Sequence, residues 1–280
     1  MPSIATNVAA NSSLFYLNRN ADNQANSLSK ISSGSRIVRA SDDAAGSAVA
    51  ASLQSDITSL ETAAKTVAQV DALLQIADGG LQRVSEILQR IKALGTQFGS
   101  GTVDAASQGF INDEYAALTT QIDLIADSTA YNGQNLIDGS FTTGGAINTV
   151  VVVGADSGDT IDIALTTVDA NVAALTGLPA SGTGFALATI ATEITAVDTA
   201  IDAISTDRAT VGSLQSAIGF QGEVVATQIE NLSAAKASIS DVDIAAEQTK
   251  FTNFQVLTEA AIAGLSQANQ ITQSLLSLLR

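Results

Sequence analysis

The sequence predicts a mainly α chain: a long antiparallel helical, coiled-coil rod built from both termini, with a small β-rich central insert. Three observations carry this prediction. Apolar residues recur in steps of three and four along the first 125 residues and again from Ile190 to Leu278. That period is lost between Phe141 and Ala188, where β-branched runs alternate with glycines. Only 4% of residues are aromatic and only two are proline, while much of the 46% hydrophobic share is alanine. Alanine at helix-forming positions suits thin, closely packed helices better than one thick core.

The elements follow in order. Leu14, Leu17, Ala21, Gln24, Leu28 and Ile31 form a heptad seam. Interior Asn residues are poor helix formers, so this helix is marginal alone in water. The turn residues Ser32 to Ser35 end it. A second helix is expected from Ala44 to about Phe98, roughly 80 Å long at 1.5 Å per residue. Its stripe runs through Leu53, Ile57, Leu60, Ala64 and Val67, steps by three again at Val70, and resumes from Leu74 to Ile91. Gly79-Gly80 inside it is expected to bend or weaken the helix. Asp42 and Asp43 precede it, where carboxylates cap exposed N–H groups. A nucleotide or metal role is the alternative, but no Gly-rich phosphate loop or third ligand accompanies them.

Gly99 to Gly101 ends that helix, and Ile111, Tyr115, Leu118, Ile122 and Ile125 mark a third. Asn132-Gly133 signals a tight hairpin turn. Val150 to Val153 and Thr160 to Ala164 read as strands of the insert. Asp156, Asp159 and Asp162 lie there, but their spacing lacks the central Gly and terminal Glu of a calcium loop, which favours a solvated turn. Helical spacing returns from Ile190 to Ile239. The last seam is the cleanest: Phe254, Leu257, Ala261, Gly264, Ala268, Ile271, Leu275 and Leu278. An apolar stripe at a chain end needs a partner, and the N-terminal stripe is the symmetric candidate. The expected organisation is an inner coiled coil from 1–41 and 241–280, a helical bundle from 42–140 and 189–240, and a surface-exposed insert at 141–188.

Composition excludes several functions. The chain has no cysteine, histidine or tryptophan, so disulfides, thiolate or imidazole zinc sites and His or Cys catalysis are ruled out. The formal charge of −16 argues against nucleic-acid binding. Apolar runs are too broken to insert in a membrane, and Met1 to Asn7 does not resemble a cleavable signal peptide. None of the 12 basic residues lies between Lys92 and Arg208, a stretch that holds half of the 28 acidic ones. An acidic middle repels its copies until the flanks pair. Asp241 with Asp243, or Asp113 with Glu114, are nominal carboxylate pairs, yet such neighbours on helices are ordinarily surface groups. No enzymatic activity and no cofactor is expected.

The terminal motifs carry a family resemblance. Leu28-Ser-Lys-Ile-Ser-Ser-Gly-Ser-Arg-Ile-Val-Arg-Ala-Ser-Asp-Asp-Ala-Ala-Gly46 resembles the N-terminal signature of bacterial flagellins. Leu88 to Leu94, Tyr131 to Gly139, Ser240 to Ile244 and Ala268 to Arg280 are similar to flagellin segments too. Hook-associated junction proteins share such ends. The resemblance implies a secreted subunit that polymerises into the flagellar filament for swimming motility. Its implied partners are many copies of itself, hook–filament junction proteins, a filament cap and a cytoplasmic export chaperone, with export by type III secretion. Disordered termini would fold into an inner coiled coil on assembly. The polymerisation seams would then be Leu14, Leu17, Leu28, Ile31, Phe254, Leu257, Ala261, Ile271, Leu275 and Leu278. The resemblance also implies a site for an animal innate immune receptor or a neighbouring subunit. Gln89, Arg90 and Leu94 match the family's Leu-Gln-Arg-Val-Arg-Glu-Leu motif, with Glu114 on the following helix. Lys92 and Ala93 depart from it, removing a guanidinium and a carboxylate.

Overall fold

The computed structural model describes residues 7–139, 141, 150–154, 158–163, 165, 168–175, 178–179 and 184–278, with the side chains of 272, 273 and 275–278 left out. Five helices dominate it: α1 (Val8–Ser33), α2 (Ala44–Phe98), α3 (Ala105–Ser128), α4 (Ile190–Ser240) and α5 (Ile244–Leu278). Among the described residues, four short strands lie between α3 and α4: β1 (Ala130–Tyr131), β2 (Gln134–Asn135), β3 (Val150–Val152) and β4 (Thr160–Asp162). The chain is therefore mainly α, with its first and last helices packed on each other and a small antiparallel β insert. It divides into two compact units, one of Met1–Asp56 with Asn231–Arg280 and one of Ile57–Glu230.

In the first unit, α1 starts at Asn7, whose side chain accepts from the Ala10 N–H at 3.0 Å. It ends at Gly34, whose φ of 69° is the left-handed closure a glycine makes without penalty. The connection to α2 is held by backbone pairing. Arg36 N–H donates to the Ser240 carbonyl, and Val242 N–H donates to the Gly34 carbonyl. The Arg36 guanidinium adds a 2.8 Å bond to the Ile239 carbonyl, one of the unpaired carbonyls at the end of α4. Asp43 caps α2, accepting from Gly46 N–H at 2.9 Å. Asp42 does a different job: its carboxylate accepts from the N–H groups of Val38 and Arg39 and shapes the turn. The Arg39 N–H is foremost in holding that carboxyl below its ordinary range.

The second unit contains the apolar core. One stripe of α2, from Leu60 through Leu74, Leu81, Leu88 and Leu94 to Phe98, is buried. From Val67 onward it packs with Ile111, Tyr115 and Ile122 of α3 and with Val197, Ile204, Val211 and Ile218 of α4. Phe185 closes one end, with its ring 4.7 Å from that of Tyr115. Asn112 clamps the backbone there, accepting from Phe185 N–H at 2.8 Å and donating to its carbonyl at 3.2 Å. The β1–β2 hairpin turns at Asn132 and Gly133, with φ of 51° and 77°, as the Asn-Gly signal predicts. Val151 pairs with Ile161 across β3 and β4.

The expected weakness at Gly79-Gly80 takes another form. Helix α2 runs through both residues. A Cβ on Gly79 would meet nothing within 4 Å, whereas one on Gly80 would stand 2.7 Å from Thr129 Oγ1 and 2.9 Å from Ile137 Cδ1. Gly80 is thus the place where the hairpin segment lies directly on α2.

Candidate functional site

Unit one buries almost nothing large. Its buried side chains are Ser27, Glu247 and Ala268 among the described residues. The half-buried face of α1 runs Ala10, Ser13, Leu17, Asn20, Gln24 and Ile31, with Ser27 buried between the last two. That of α5 runs Phe251, Phe254, Thr258, Ala261 and Leu265. Both faces repeat in threes and fours, so they form a seam, but small and polar residues occupy much of it. Ser27 Oγ donates to Glu247 Oε1 at 2.8 Å, and Lys250 Nζ donates to Glu247 Oε2 at 2.9 Å. Burial pushes the Glu247 carboxyl up, but the bonds from Lys250 and Ser27 outweigh it and leave the group below its ordinary range. At the other end, Asn7 Nδ2 donates to the Ala268 carbonyl at 3.1 Å.

The expected seam residues are placed as follows. Leu17, Ile31, Phe254 and Ala261 are half-buried along the α1–α5 contact. Leu14, Leu28, Leu257 and Ile271 point outward and are 45%, 53%, 48% and 54% exposed. Phe15, Tyr16, Val256 and Ile262 are exposed beside them. The backbone at Leu275 and Leu278 continues α5, and their side chains lie outside the described residues. The pair therefore presents two kinds of face, one satisfied by its partner helix and one apolar and uncovered.

In unit two, Arg90 of α2 and Glu114 of α3 form a salt bridge at 2.7 Å. Gln89 is exposed beside them. Leu94 is 1% exposed and belongs to the core, so Gln89, Arg90 and Glu114 are the members of that set at the surface. Lys92 pairs with Asp198 of α4 at 2.6 Å, and Arg208 with Asp78 of α2 at 2.9 Å. Such half-exposed pairs fix register more than they add stability.

Sequence reasoning did not identify Asp207. It stands on the inward stripe of α4 between Ile204 and Val211 and is 9% exposed. Burial, with the Asp169 carboxylate second, pushes its carboxyl up to about 6. The legible signal was the missing apolar step in the stripe between Ile204 and Val211.

Among the described residues, nothing assembles reacting groups. Among the described residues, no three carboxylates converge as a metal site. Asp156 lies outside the described residues. Asp243 caps α5 by accepting from Ala246 N–H at 3.0 Å, and Glu114 is engaged by Arg90. Among the described residues, no helix is long and apolar enough to cross a membrane.

Comparison with known proteins fits this arrangement of terminal helices. The family model of the bacterial flagellin N-terminal helical region matches residues 4–142, and that of the C-terminal helical region matches residues 194–279. Bacillus subtilis flagellin is 34% identical over 299 residues, covering 98% of each chain. Listeria monocytogenes flagellin is 32% identical over 286 residues, covering 99% of each. The flagellar filament 33 kDa core protein of Treponema phagedenis is 35% identical over 263 residues, covering 90% of this chain and 91% of that one. The crystal structure of Bacillus cereus flagellin is 31% identical, covers 61% of this chain and 93% of that chain, and superposes with a TM-score of 0.46. The chain belongs to the bacterial flagellin family and is a structural, non-catalytic subunit for filament assembly.

Proposed function

We propose that α1 and α5 are completed only by neighbouring copies, folding into an inner coiled coil as the filament assembles. One observation carries this reading. Among the described residues the α1–α5 pair buries no large apolar side chain, yet leaves Leu14, Phe15, Tyr16, Leu28, Val256, Leu257, Ile262 and Ile271 between 45% and 64% exposed. A two-helix contact with a polar seam is marginal in isolation. The same two helices, surrounded by copies, would bury their outward stripes as well. Ordering and polymerisation then become one linked equilibrium. The polymerisation seams are accordingly Leu14, Leu17, Leu28, Ile31, Phe254, Leu257, Ala261, Ile271, Leu275 and Leu278.

The filament reading brings further roles. The subunit is exported through the type III channel with a chaperone shielding its C-terminal segment, and is placed between junction proteins and a cap on an extracellular filament that drives swimming. Gln89, Arg90 and Glu114 form the surface offered to an animal innate receptor or to a neighbouring subunit, with Leu94 supporting it from the core.

Deletion of Ala261 to Arg280 tests the terminal-pairing reading. The shortened chain is expected to keep the circular dichroism and unfolding transition of the Ile57–Glu230 unit and to form no filaments in seeded electron-microscopy assays. Normal filaments from this chain would overturn it.

A further inference from the structure

Unit two carries an apolar socket and an apolar ridge on different elements. The socket is a cavity of about 360 Å³ between α2 and β3, lined by Thr66, Gln69, Leu73, Tyr131 and Val152 among others. That size admits an aromatic ring with a neighbouring aliphatic group. Lys65 stands exposed one turn from Gln69 on α2. Lys65 makes no ion pair among the described residues. The ridge is on α4. Phe220 is 70% exposed and Val224, one turn on, is 46% exposed. Between them Glu223 is exposed, and its carboxylate likewise has no ion-pair partner among the described residues.

We propose that this socket and ridge form a contact between copies: Phe220 and Val224 of one subunit fill the α2–β3 cavity of the next, and Glu223 pairs with Lys65. Two arguments select a second copy as the occupant. Charge is the first. Unit two is strongly acidic, and Lys65 is a lone cation of α2 below Arg83. An acidic ridge docking on a like surface needs that cation to offset repulsion. Polymer geometry is the second. An open filament requires a heterologous contact, in which one patch meets a different patch so that every copy offers both. Phe110 on α3 is also exposed, but the next turn there is Glu114, already bound to Arg90, so its ring stands without an aliphatic neighbour.

The inference rests on the filament reading, and its test separates the two. The natural chain has no cysteine, so introduced thiols report only on the chosen contact. The variant Gln69→Cys with Val224→Cys retains Phe220 and both charges. On mild oxidation of assembled filaments it should give a ladder of covalent multimers, and none from monomer. Filaments without a ladder overturn the contact while leaving the filament reading intact. Covalent dimers alone also overturn it, because they report a closed, two-fold pairing. The charge pairing is tested separately by critical concentration. Lys65→Glu and Glu223→Lys should each raise it about tenfold, and the two together should return it to within about threefold of the natural chain. Indifference to the single changes, or no recovery in the double variant, overturns the charge pairing.

Discussion

Asp207 is an acidic residue placed where the α4 stripe calls for an apolar one. Its carboxyl, pushed up to about 6 from 3.8, binds a proton more readily in the folded chain than in the unfolded one. Stability from this group is therefore fully present below about pH 4 and is lost as pH rises through about 6. Holding the ionised form in the core costs roughly 2–3 kcal/mol. Asp207→Asn is expected to stabilise the chain by about that amount above pH 7 and to flatten the dependence between pH 4 and 6. Urea unfolding near pH 4.5 and 7.5 checks this, and an unchanged pH difference in the Asn variant would refute it. A second residue-scale expectation contrasts neighbours. Gly79→Ala gains helix propensity in open space and should stabilise by about 1 kcal/mol. Gly80→Ala gains the same but drives a Cβ against Thr129 and Ile137, an overpacking worth about 1–3 kcal/mol, and should be neutral to destabilising. Thermal unfolding of the two variants side by side decides between these outcomes.

At the scale of elements, α1 and α5 show how a helix pair can be specific without being strong. The Ser27–Glu247 bond sets the register of the seam, because a slip by one turn would cost the buried Glu247 carboxylate its donor from α1 and leave it only Lys250 of its own helix. Ser27→Ala is expected to weaken the pair by about 1 kcal/mol, and Glu247→Leu by less, since the leucine buries apolar area and strands no charge. Hydrogen exchange of α5 amides reads both. A larger loss for Glu247→Leu than for Ser27→Ala would contradict this account. The periodicity made both helices legible, and Phe254, Ala261, Leu17 and Ile31 were legible as seam positions. Which face would meet the partner helix was not. Heptads one residue apart, Leu14–Leu28 and Ser13–Ser27, both have the right spacing, and only the packed pair shows Ser27 inside and Leu28 outside.

For the whole molecule, charge distribution governs assembly. Twenty of the 28 acidic residues lie in the Ile57–Glu230 unit, along with five of the 12 basic ones. Copies brought together repel at low ionic strength, and salt shortens the range of that repulsion from about 30 Å at 0.01 M to about 8 Å at 0.15 M. Filament elongation is expected to accelerate by at least about tenfold across that interval, measured by light scattering from seeds. Elongation that slows with salt would mean that attraction between opposite charges dominates the contacts.

The sequence by itself determined the class of this protein. Heptad spacing, the missing chemistry of His and Cys, and the terminal signatures all follow from residue order, since each is a local pattern or an absence. It also located the Asn132-Gly133 turn and the α2 cap, because backbone conformation there depends on a few adjacent residues. Only the tertiary structure decided which stripes are covered. It put Asp207 in the core, made Gly80 a point of close approach, and left Leu14, Leu28 and Phe220 uncovered. Burial depends on what residues far apart in the chain bring to the same place, and no local pattern contains that information.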